Sequence, residues 1–139
     1  SLNKIDLKTY LGSLVKDLVQ SYGNTIHIHA DIKASEQAIL PKDLVPIALI
    51  FNELVTNSVK HAFKNSATGS IQIQAQSLPE HQLALTYSDN GKWVEPENGR
   101  NSLGLELIES FVEQLDGTLS LEKENGTVYH ILVKLSNDG

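Results

Sequence analysis

The sequence contains no cysteine and no methionine among its 139 residues. The absence of cysteine excludes disulfide bonds and thiolate chemistry, and it fits a reducing compartment such as the cytoplasm. No apolar run approaches about eighteen residues, so the sequence predicts neither a membrane-spanning helix nor a signal peptide. Because the chain begins with Ser1 instead of methionine, we expect it to be a fragment of a protein that extends upstream.

Positive charge is also scarce, with 11 Lys and Arg against 17 Asp and Glu and a net charge of -6. A nucleic-acid surface normally needs clustered Lys and Arg, so we expect no nucleic-acid partner. An acidic domain that binds a polyphosphate needs a divalent cation and backbone N–H donors to offset the repulsion. The length fits a single domain, predicted over residues 1–139, with one core.

The hydrophobic periodicity predicts the element order α-β-α-β-β-α-β-β, without repeats or low-complexity tracts. A first helix, read as a connector within residues 1–24, precedes a core over 25–135. This order predicts an α/β (α+β) fold, a two-layer sandwich of a mixed, mostly antiparallel sheet with helices on one face. The predicted elements are helices over 5–22, from Asp43 to 63 or 64, and over 103–115, and strands over 25–32, 70–77, 82–88, 118–123 and 127–135.

The most informative segment is Asn52–Phe63, which reads NELVTNSVKHAF. On a continuous helix its polar residues share one stripe, because residues three, four and seven apart lie on the same face. An acid, a carboxamide, an imidazole and two ammonium groups then line up beside an apolar, core-facing side. This mixture suits a metal-phosphate ligand, although a solvated helix face explains it about equally well. The stripe comprises Glu53, Asn57, Lys60, His61 and Lys64.

Three other groups of residues are weak signals when each is taken alone. Asp89-Asn90-Gly91 follows a predicted strand, where an ordinary turn is the common outcome. Ser102-Leu103-Gly104-Leu105 places a glycine in the first turn of a helix, whose free N–H groups suit phosphate. His27 and His29 share one face of the first strand, but a metal site needs three or four converging ligands, so a solvated face is favoured.

The chain resembles the GHKL superfamily of ATP-binding domains when three segments are taken together in order: Asn52–Phe63, Asp89–Gly91 and Ser102–Leu105. Members of this superfamily have the Bergerat fold and include sensor histidine kinases, gyrase and mismatch-repair ATPases. Glu53–Asn57 resembles the N box, Asp89–Gly91 the first glycine box, and Ser102–Leu105 the second. Gly126-Thr127 resembles the pair that opens the last strand. Two features are most similar to histidine kinases: the glutamate in the N box, and Gln114–Gly117 at the end of the predicted helix over 103–115.

The resemblance implies that ATP and Mg²⁺ bind along the N box. Asn57 would present its side-chain oxygen to Mg²⁺, a cation that prefers oxygen ligands. Glu53, the implied catalytic residue, would act through water as a base or as a partner of the metal. Lys60 would lie near the phosphates as a point charge, and His61 near the ribose or the adenine.

The same resemblance implies that the glycine boxes and the last strand form the rest of the ATP site. Asp89 would accept a hydrogen bond from the adenine amino group, and Gly91 would let the backbone approach the base. Backbone N–H groups around Gly104, between Leu103 and Leu105, would hold the phosphates. Thr127 would support the adenine contact through its hydroxyl group.

Trp93 departs from the family pattern, because the first glycine box usually reads Asp-x-Gly-x-Gly and Trp93 takes the place of the second glycine. Tryptophan cannot easily adopt the backbone conformations that glycine permits. The following loop, 92–101, is also short for a lid over ATP. Trp93 is therefore interpreted as filling a hydrophobic gap in preference to stacking over the nucleotide. The sequence does not decide whether the loop closes over the γ-phosphate.

The resemblance implies the catalytic domain of a bacterial sensor histidine kinase, located in the cytoplasm or in the cytoplasmic part of a membrane-anchored sensor, without direct membrane contact. The implied partners are a dimerisation domain with the phosphoacceptor histidine, absent here, and a downstream response regulator. None of the five histidines lies in an acceptor hairpin, so this chain should not phosphorylate itself. Two alternatives stay open: a stand-alone serine kinase of the anti-sigma type, and a degenerate docking module without turnover.

Overall fold

The computed structural model describes residues 3–22, 26–93 and 102–137. Within these ranges the backbone forms three α-helices, a five-stranded sheet and a small two-stranded sheet. The elements in chain order are β1 (Ile5–Asp6), α1 (Leu7–Ser21), β2 (His27–Ala34), β3 (Ala38–Ile39), α2 (Pro41–Asn57), β4 (Thr68–Leu78), β5 (Gln82–Asp89), α3 (Ser102–Gln114), β6 (Thr118–Glu122) and β7 (Thr127–Lys134).

The large sheet has the strand order β2-β4-β5-β7-β6, in which β2 and β4 run parallel and all other neighbours run antiparallel. Inward and outward residues alternate along β4, β5 and β7, as expected when one face is covered and the other is not. The covered face packs against the helices. The predicted two-layer fold with a mixed, mostly antiparallel sheet is therefore confirmed.

The core lies between this sheet face and the apolar sides of the helices. Phe51 and Tyr87 are fully buried, with their ring centroids 6.3 Å apart, so α2 is fixed against the middle of the sheet. Leu7, Leu11 and Val15 bury the inner stripe of α1 at helical spacing. No helix in the part of the chain that the structure describes is long and apolar enough to cross a membrane.

The first helix begins two residues later than predicted, because Ile5 and Asp6 form a short strand. They pair with Ile39 and Ala38, and the Asp6 carboxylate then caps α1. That carboxylate accepts hydrogen bonds from the Thr9 backbone N–H at 3.1 Å and from the Thr9 hydroxyl at 2.7 Å. A tertiary strand pairing, invisible to helical periodicity, thus decides the start of α1.

The central helix begins two residues earlier than predicted, at Pro41, and the assignment of Asp43 as its N-cap is wrong. Pro41 fits the first helical position because the N–H that it lacks has no partner inside the helix there. Leu40 is the cap residue, without a side-chain hydrogen bond. Asp43 is buried and accepts hydrogen bonds from the Ser136 backbone N–H at 2.7 Å and hydroxyl at 2.9 Å. It fixes the end of the chain after β7 to α2.

The predicted continuous α-helix to residue 63 or 64 is also wrong, because α2 ends at Asn57 and a π-helical turn over Ser58–Ala62 follows. The Phe63 N–H donates to the Ser58 carbonyl at 2.8 Å, five residues back. This wider turn changes which side chains face the sheet. Phe63 becomes buried, whereas Ser58 keeps the inward position that α-helical spacing from Leu54 gives it, and Lys60 is exposed. Such turns are uncommon and frequently mark functional sites.

Candidate functional site

A cavity opens at one end of the covered sheet face, between the π-helical turn, the end of β5, the start of β7 and the first turns of α3. Apolar and aromatic side chains form much of its wall, and a few polar groups converge on it, which is typical of a ligand site. The lining residues are Asn57, Ser58, His61, Ala62, Asp89, Lys92, Trp93, Leu105, Thr127 and Tyr129.

Polar burial is concentrated at this cavity. Four polar or charged side chains are buried within the described ranges, and three of them, Ser58, Asp89 and Thr127, line the cavity. Burying such groups is unfavourable unless they are hydrogen-bonded. Among the described residues, every buried side-chain nitrogen or oxygen has a hydrogen-bond partner. Ser58 and Asp89 are paired directly with each other, so this polar part of the cavity is arranged within the fold.

Asp89 lies at the inner end of the cavity and is 8% exposed. Its Oδ2 accepts a hydrogen bond from the Ser58 hydroxyl at 2.6 Å, and its Oδ1 accepts one from the Gly91 backbone N–H at 3.1 Å. The antiparallel register places Asp89 directly opposite Thr127, the first residue of β7. The sheet therefore brings the first glycine box and the Gly-Thr pair together, as their assignment to one site requires.

A buried hydroxyl chain continues behind Asp89. The Tyr87 hydroxyl lies 2.7 Å from the Ser58 Oγ. Because a serine hydroxyl has one proton and Ser58 donates it to Asp89, Tyr87 is the donor to Ser58. The Tyr87 and Tyr129 rings meet edge to face with centroids 6.1 Å apart. Burial raises the pKa of Tyr129 to about 12 and that of Tyr87 well above its usual value, so both phenols stay protonated.

Burial also raises the pKa of the Asp89 carboxyl above its ordinary value. The hydrogen bonds donated by Ser58 and by the Gly91 N–H act in the opposite direction, because both stabilise the carboxylate. Ionisation of Asp89 thus depends on these two donors. With the donors in place, Asp89 presents acceptor oxygens at the inner end of the cavity.

Gly91 is required for a close contact with the π-helical turn. A Cβ atom at this position would lie 2.4 Å from the Ala62 carbonyl oxygen and 2.6 Å from the Ala62 carbonyl carbon. The next residue, Lys92, donates its backbone N–H to the same oxygen at 3.3 Å. The segment after β5 is therefore packed directly on the turn that supplies Ser58. The predicted approach of Gly91 to an adenine base stays a prediction.

The first turn of α3 packs against the N box. A Cβ atom on Gly104 would lie 3.1 Å from Asn57 Nδ2, 3.3 Å from Asn57 Oδ1 and 3.5 Å from Glu53 Oε2. Asn57 and Glu53 are both half-buried on α2. The fold thus joins the carboxamide, the carboxylate and the start of a helix, where free N–H groups favour anions.

The predicted site residues take different positions around the cavity. Asn57, His61, Asp89, Leu105 and Thr127 line it. Glu53 and Gly104 lie beside Asn57, and Gly91 lies behind Asp89 against Ala62.

Two predicted phosphate-side residues stand apart from the lining. Lys60 is exposed and does not line the cavity, because it lies in the π-helical turn and not on an α-helical stripe. Leu103 belongs to the first turn of α3, and its side chain lies outside the described part of the chain.

Trp93 packs as the gap-filling interpretation expects, while its stacking over a nucleotide stays a prediction. It is half-buried and packs against the hydrophobic core, and it also lines the cavity. The Lys123 ammonium group lies 4.5 Å from the centroid of its ring, within the range of a cation–π contact. The rest of the short loop considered as a lid, residues 94–101, lies outside the described ranges.

Sequence reasoning missed Ser58, Tyr87, Tyr129 and Lys92 as site residues. Tyr87 and Asp89 are two apart on a strand and share a face, so period-two alternation could have revealed Tyr87. The same argument relates Tyr129 to Thr127. Helical spacing could have revealed Ser58, because it lies four residues after the buried Leu54 and seven after the buried Phe51. Both His27 and His29 are exposed, and the described residues contain no group of three His, Asp or Glu side chains arranged around a metal.

Comparison with known proteins identifies the family. Residues 42–137 match the family described as "Histidine kinase-, DNA gyrase B-, and HSP90-like ATPase". The chain belongs to this family. The match covers most of the chain, from the first turn of α2 to the end of β7, and includes every residue that lines the cavity.

Relatives within the family include two kinds of protein. The Blue-light-activated histidine kinase 2 of Erythrobacter litoralis is 26% identical over 137 residues, which are 95% of this chain and 39% of that protein. The Anti-sigma F factor of Bacillus licheniformis is 27% identical over 107 residues, 68% of this chain and 71% of that protein. The chain therefore spans well under half of the first relative.

A solved structure supports the same fold assignment. The histidine kinase domain of the Erythrobacter litoralis EL346 blue-light activated histidine kinase superposes with a TM-score of 0.81 at 26% identity. The superposition covers 94% of this chain and 62% of that domain. The chain thus has the fold of a histidine-kinase-type ATPase domain.

Proposed function

We propose that this chain is the ATP-binding catalytic domain of a sensor histidine kinase. It positions Mg²⁺-ATP so that the γ-phosphoryl group reaches a histidine on a dimerisation domain outside this chain, and a response regulator then receives the phosphoryl group. The observation that best supports the proposal is the joining of Asp89 and Asn57 by one cavity, with α3 packed on Asn57. The protein works in the cytoplasm in this proposal.

The Asp89 end of the cavity suits an adenine base. The carboxylate oxygens accept hydrogen bonds, which matches the donor character of the adenine amino group and disfavours the carbonyl of guanine at the same place. Thr127 lies opposite Asp89 and offers a hydroxyl group. Ala62, Leu105 and Tyr129 supply apolar and aromatic surface against the faces of a base.

The Asn57 end suits the phosphates and Mg²⁺. The Asn57 amide oxygen and the Glu53 carboxylate are the oxygen donors that Mg²⁺ prefers. The first turn of α3, packed on Asn57 through Gly104, offers backbone N–H groups to the phosphates. When bound, Mg²⁺ neutralises phosphate charge, which this chain of net charge -6 would otherwise repel. Lys92 also lines the cavity and offers a cationic group to a polyphosphate ligand.

Transfer from this site breaks the bond between the γ-phosphorus and the bridging oxygen, forms a bond from phosphorus to an acceptor nitrogen, and releases ADP. Positioning and charge neutralisation supply most of the catalysis of such a step. Glu53 would act as the base toward the attacking imidazole or as an outer partner of the metal. His61 lines the ATP cavity itself, so the acceptor comes from another domain.

A second candidate is a stand-alone serine kinase of the anti-sigma type. Anti-sigma F factors match this chain at a similar identity, and the chain spans 71% of the Bacillus licheniformis protein. The same cavity would hold ATP, and a serine hydroxyl on another protein would replace the imidazole as acceptor. The histidine reading is preferred because its relative matches 95% of this chain, including α1.

ATP binding is tested by titrating the chain with ATP at fixed Mg²⁺ while following its melting temperature and the fluorescence of Trp93, the single tryptophan. We expect the melting temperature to rise with ligand concentration, because ATP binds the folded state, and the Trp93 emission to change. GTP under the same conditions is the matched control. If neither signal responds to ATP, the proposed ATP site is wrong, and the chain is instead a docking module that binds no nucleotide.

The acceptor is tested by adding ATP to the chain together with a histidine-containing hairpin domain, or with a serine-containing protein substrate. Phosphohistidine is labile in acid, whereas phosphoserine survives acid and is lost in base. An acid-labile product on the hairpin supports the sensor kinase. An acid-stable product on the serine substrate would instead establish the anti-sigma type, and ATP binding without any product would indicate a module that has lost turnover.

A further inference from the structure

We propose that Tyr87 and Ser58 form a hydroxyl chain that holds Asp89 in the orientation needed to recognise adenine, which makes them positioning residues for nucleotide selection. This inference rests on the proposed ATP site and deepens it. It concerns two residues outside the N box and the glycine boxes.

The geometry of the chain is complete and directional. The Tyr87 hydroxyl donates to Ser58 across 2.7 Å, and the Ser58 hydroxyl donates to Asp89 Oδ2 across 2.6 Å. Tyr87 is fully buried and Ser58 is 2% exposed, so water does not compete for either bond. Hydrogen bonds to a charged group in such surroundings are among the stronger ones in proteins.

The chain constrains Asp89 in a way that the Gly91 N–H alone does not. The donor from Ser58 holds Oδ2, and the backbone donor from Gly91 holds Oδ1. With both oxygens held, the plane of the carboxylate is fixed relative to the cavity. A fixed acceptor can be satisfied by an amino group but not by a carbonyl oxygen, which is the difference between adenine and guanine at this place.

Tyr87 also links this contact to the core. Its ring packs against Phe51 of α2 and against Tyr129 of β7, with centroids 6.3 Å and 6.1 Å apart. The hydroxyl therefore has a rigid mount in the middle of the sheet. Ser58 reaches that hydroxyl because it lies four residues after the buried Leu54 on the inner face of the helix, where the π-helical turn begins. The polar chain thus connects the centre of the fold to the base-binding end of the cavity.

The pH dependence of binding follows from the same bonds. The hydrogen bond from Ser58 lowers the pKa of Asp89 against the raising effect of burial, so its removal raises that pKa further. The groups facing Asp89 are Ser58 from the π-helical turn, Tyr87 on β5, and Thr127 and Tyr129 on β7; His61 and Lys92 line the same cavity. Binding that needs the carboxylate then fails at a higher pH in a variant without the Ser58 hydroxyl.

The first test measures Mg²⁺-ATP and Mg²⁺-GTP affinity for Ser58→Ala and Tyr87→Phe against the unmodified chain. We expect ATP affinity to fall by on the order of tenfold in Ser58→Ala and by a smaller factor in Tyr87→Phe, with GTP affinity little changed. Ser58→Thr, which retains a hydroxyl, should recover much of the loss. Ser88→Ala is the matched control, because Ser88 lies next to Asp89 on the opposite face of β5. Equal loss for ATP and GTP would overturn the proposal.

The second test needs no nucleotide, so it separates this proposal from the ATP site. The Asp89 carboxyl carbon is followed by NMR during a pH titration of the unmodified chain, Ser58→Ala and Ser88→Ala. We expect the apparent pKa of Asp89 to rise in Ser58→Ala and to stay unchanged in Ser88→Ala. An unshifted Asp89 in a folded Ser58→Ala variant would overturn the hydroxyl chain, even if the unmodified chain binds ATP. A shifted Asp89 without any ATP binding would support the chain and reject the ATP site.

Discussion

The two ends of the cavity are built in different ways. At the Asp89 end, the polar side chains are buried and paired with one another, and a glycine contacts backbone atoms of Ala62. At the Asn57 end, the polar side chains are half-buried, and the glycine Gly104 contacts side-chain atoms of Asn57 and Glu53.

This difference indicates different tasks for the two ends. Buried, paired groups are fixed before a ligand arrives, which suits the recognition of a rigid base. Half-buried side chains keep room to adjust, which suits a hydrated metal ion and flexible phosphates that Mg²⁺ binds while keeping part of its water shell. Changes at the Asp89 end should therefore alter selectivity and folding, whereas changes at the Asn57 end should alter metal dependence and transfer.

The largest effect is expected from Asn57→Ala. Loss of the amide oxygen removes the proposed metal ligand, so phosphoryl transfer to the acceptor domain should fall by on the order of a hundredfold and lose its dependence on Mg²⁺ concentration. The rate is measured over a range of Mg²⁺ concentrations. Asn52→Ala, one residue before Glu53 on the same helix and outside the cavity lining, is the control. Unchanged Mg²⁺ dependence in Asn57→Ala would contradict the metal-ligand role.

Gly91→Ala and Gly104→Ala compare the two ends directly. At Gly91 the new Cβ would lie 2.4 Å from a backbone oxygen, so the free energy of unfolding should fall by about 2 kcal/mol. At Gly104 the new Cβ would lie 3.1 Å from the movable Asn57 amide, so stability should change little while the transfer rate falls.

Gly12→Ala provides the reference for a Gly→Ala change that meets no neighbouring atom, in which alanine only restricts the unfolded chain and favours the helix. No atom lies within 4 Å of a Cβ on Gly12 in α1, so this variant should gain roughly 0.5–1 kcal/mol of stability. Urea unfolding of all three variants measures the differences. A Gly104→Ala variant as unstable as Gly91→Ala would remove the contrast between the two ends.

Asp89→Asn should weaken ATP binding by about tenfold and also lower stability, because an amide has one acceptor oxygen for the two donors, Ser58 and the Gly91 N–H. Burial raises the pKa of Asp89 above its ordinary value of 3.8, so the folded chain favours the protonated carboxyl. The resulting contribution to stability is fully present below that ordinary value and is lost as pH rises through the raised pKa.

Asparagine does not titrate, so the free energy of unfolding of Asp89→Asn should not include this decrease as pH rises. Its melting temperature should therefore lie below that of the unmodified chain, with a difference that narrows as pH rises, and thermal unfolding from pH 3 to 8 measures it. Asp31→Asn, on the exposed outer part of β2, is the control. A variant as stable as the unmodified chain at every pH would show that the hydrogen bonds to Asp89 do not stabilise the fold, and the contrast between the two ends would be wrong.

The smallest effect is expected from Lys123→Gln. Its ammonium group lies 4.5 Å from the centre of the Trp93 ring, and such contacts at exposed sites contribute about 0.5–1 kcal/mol. ATP affinity should therefore change by a few-fold at most, with a shift in Trp93 emission before ligand is added. Lys134→Gln, exposed at the end of β7, is the control. A loss as large as that of Asn57→Ala would make Trp93 and Lys123 a third part of the site.

The sequence by itself determined the fold class, the order of the main elements and the identity of the family. Apart from the end of the central helix, period-two and helical patterns located the main strands and helices to within about two residues, because these patterns record which side of each element is covered. Short motifs in a fixed order selected Asn57, Asp89, Gly104 and Thr127, since carboxamide, carboxylate, glycine and hydroxyl groups have distinct chemistry.

Only the tertiary structure decided how these residues meet. The π-helical turn turned Phe63 inward, an outcome that α-helical spacing cannot anticipate, because it depends on contact of the turn with Gly91 and with the rest of the core. Pairing of Ile5 with Ile39 moved the start of α1, and Ser136 drew Asp43 away from the role of a cap. Each of these depends on a contact between residues far apart in the chain, whereas sequence patterns record local spacing alone.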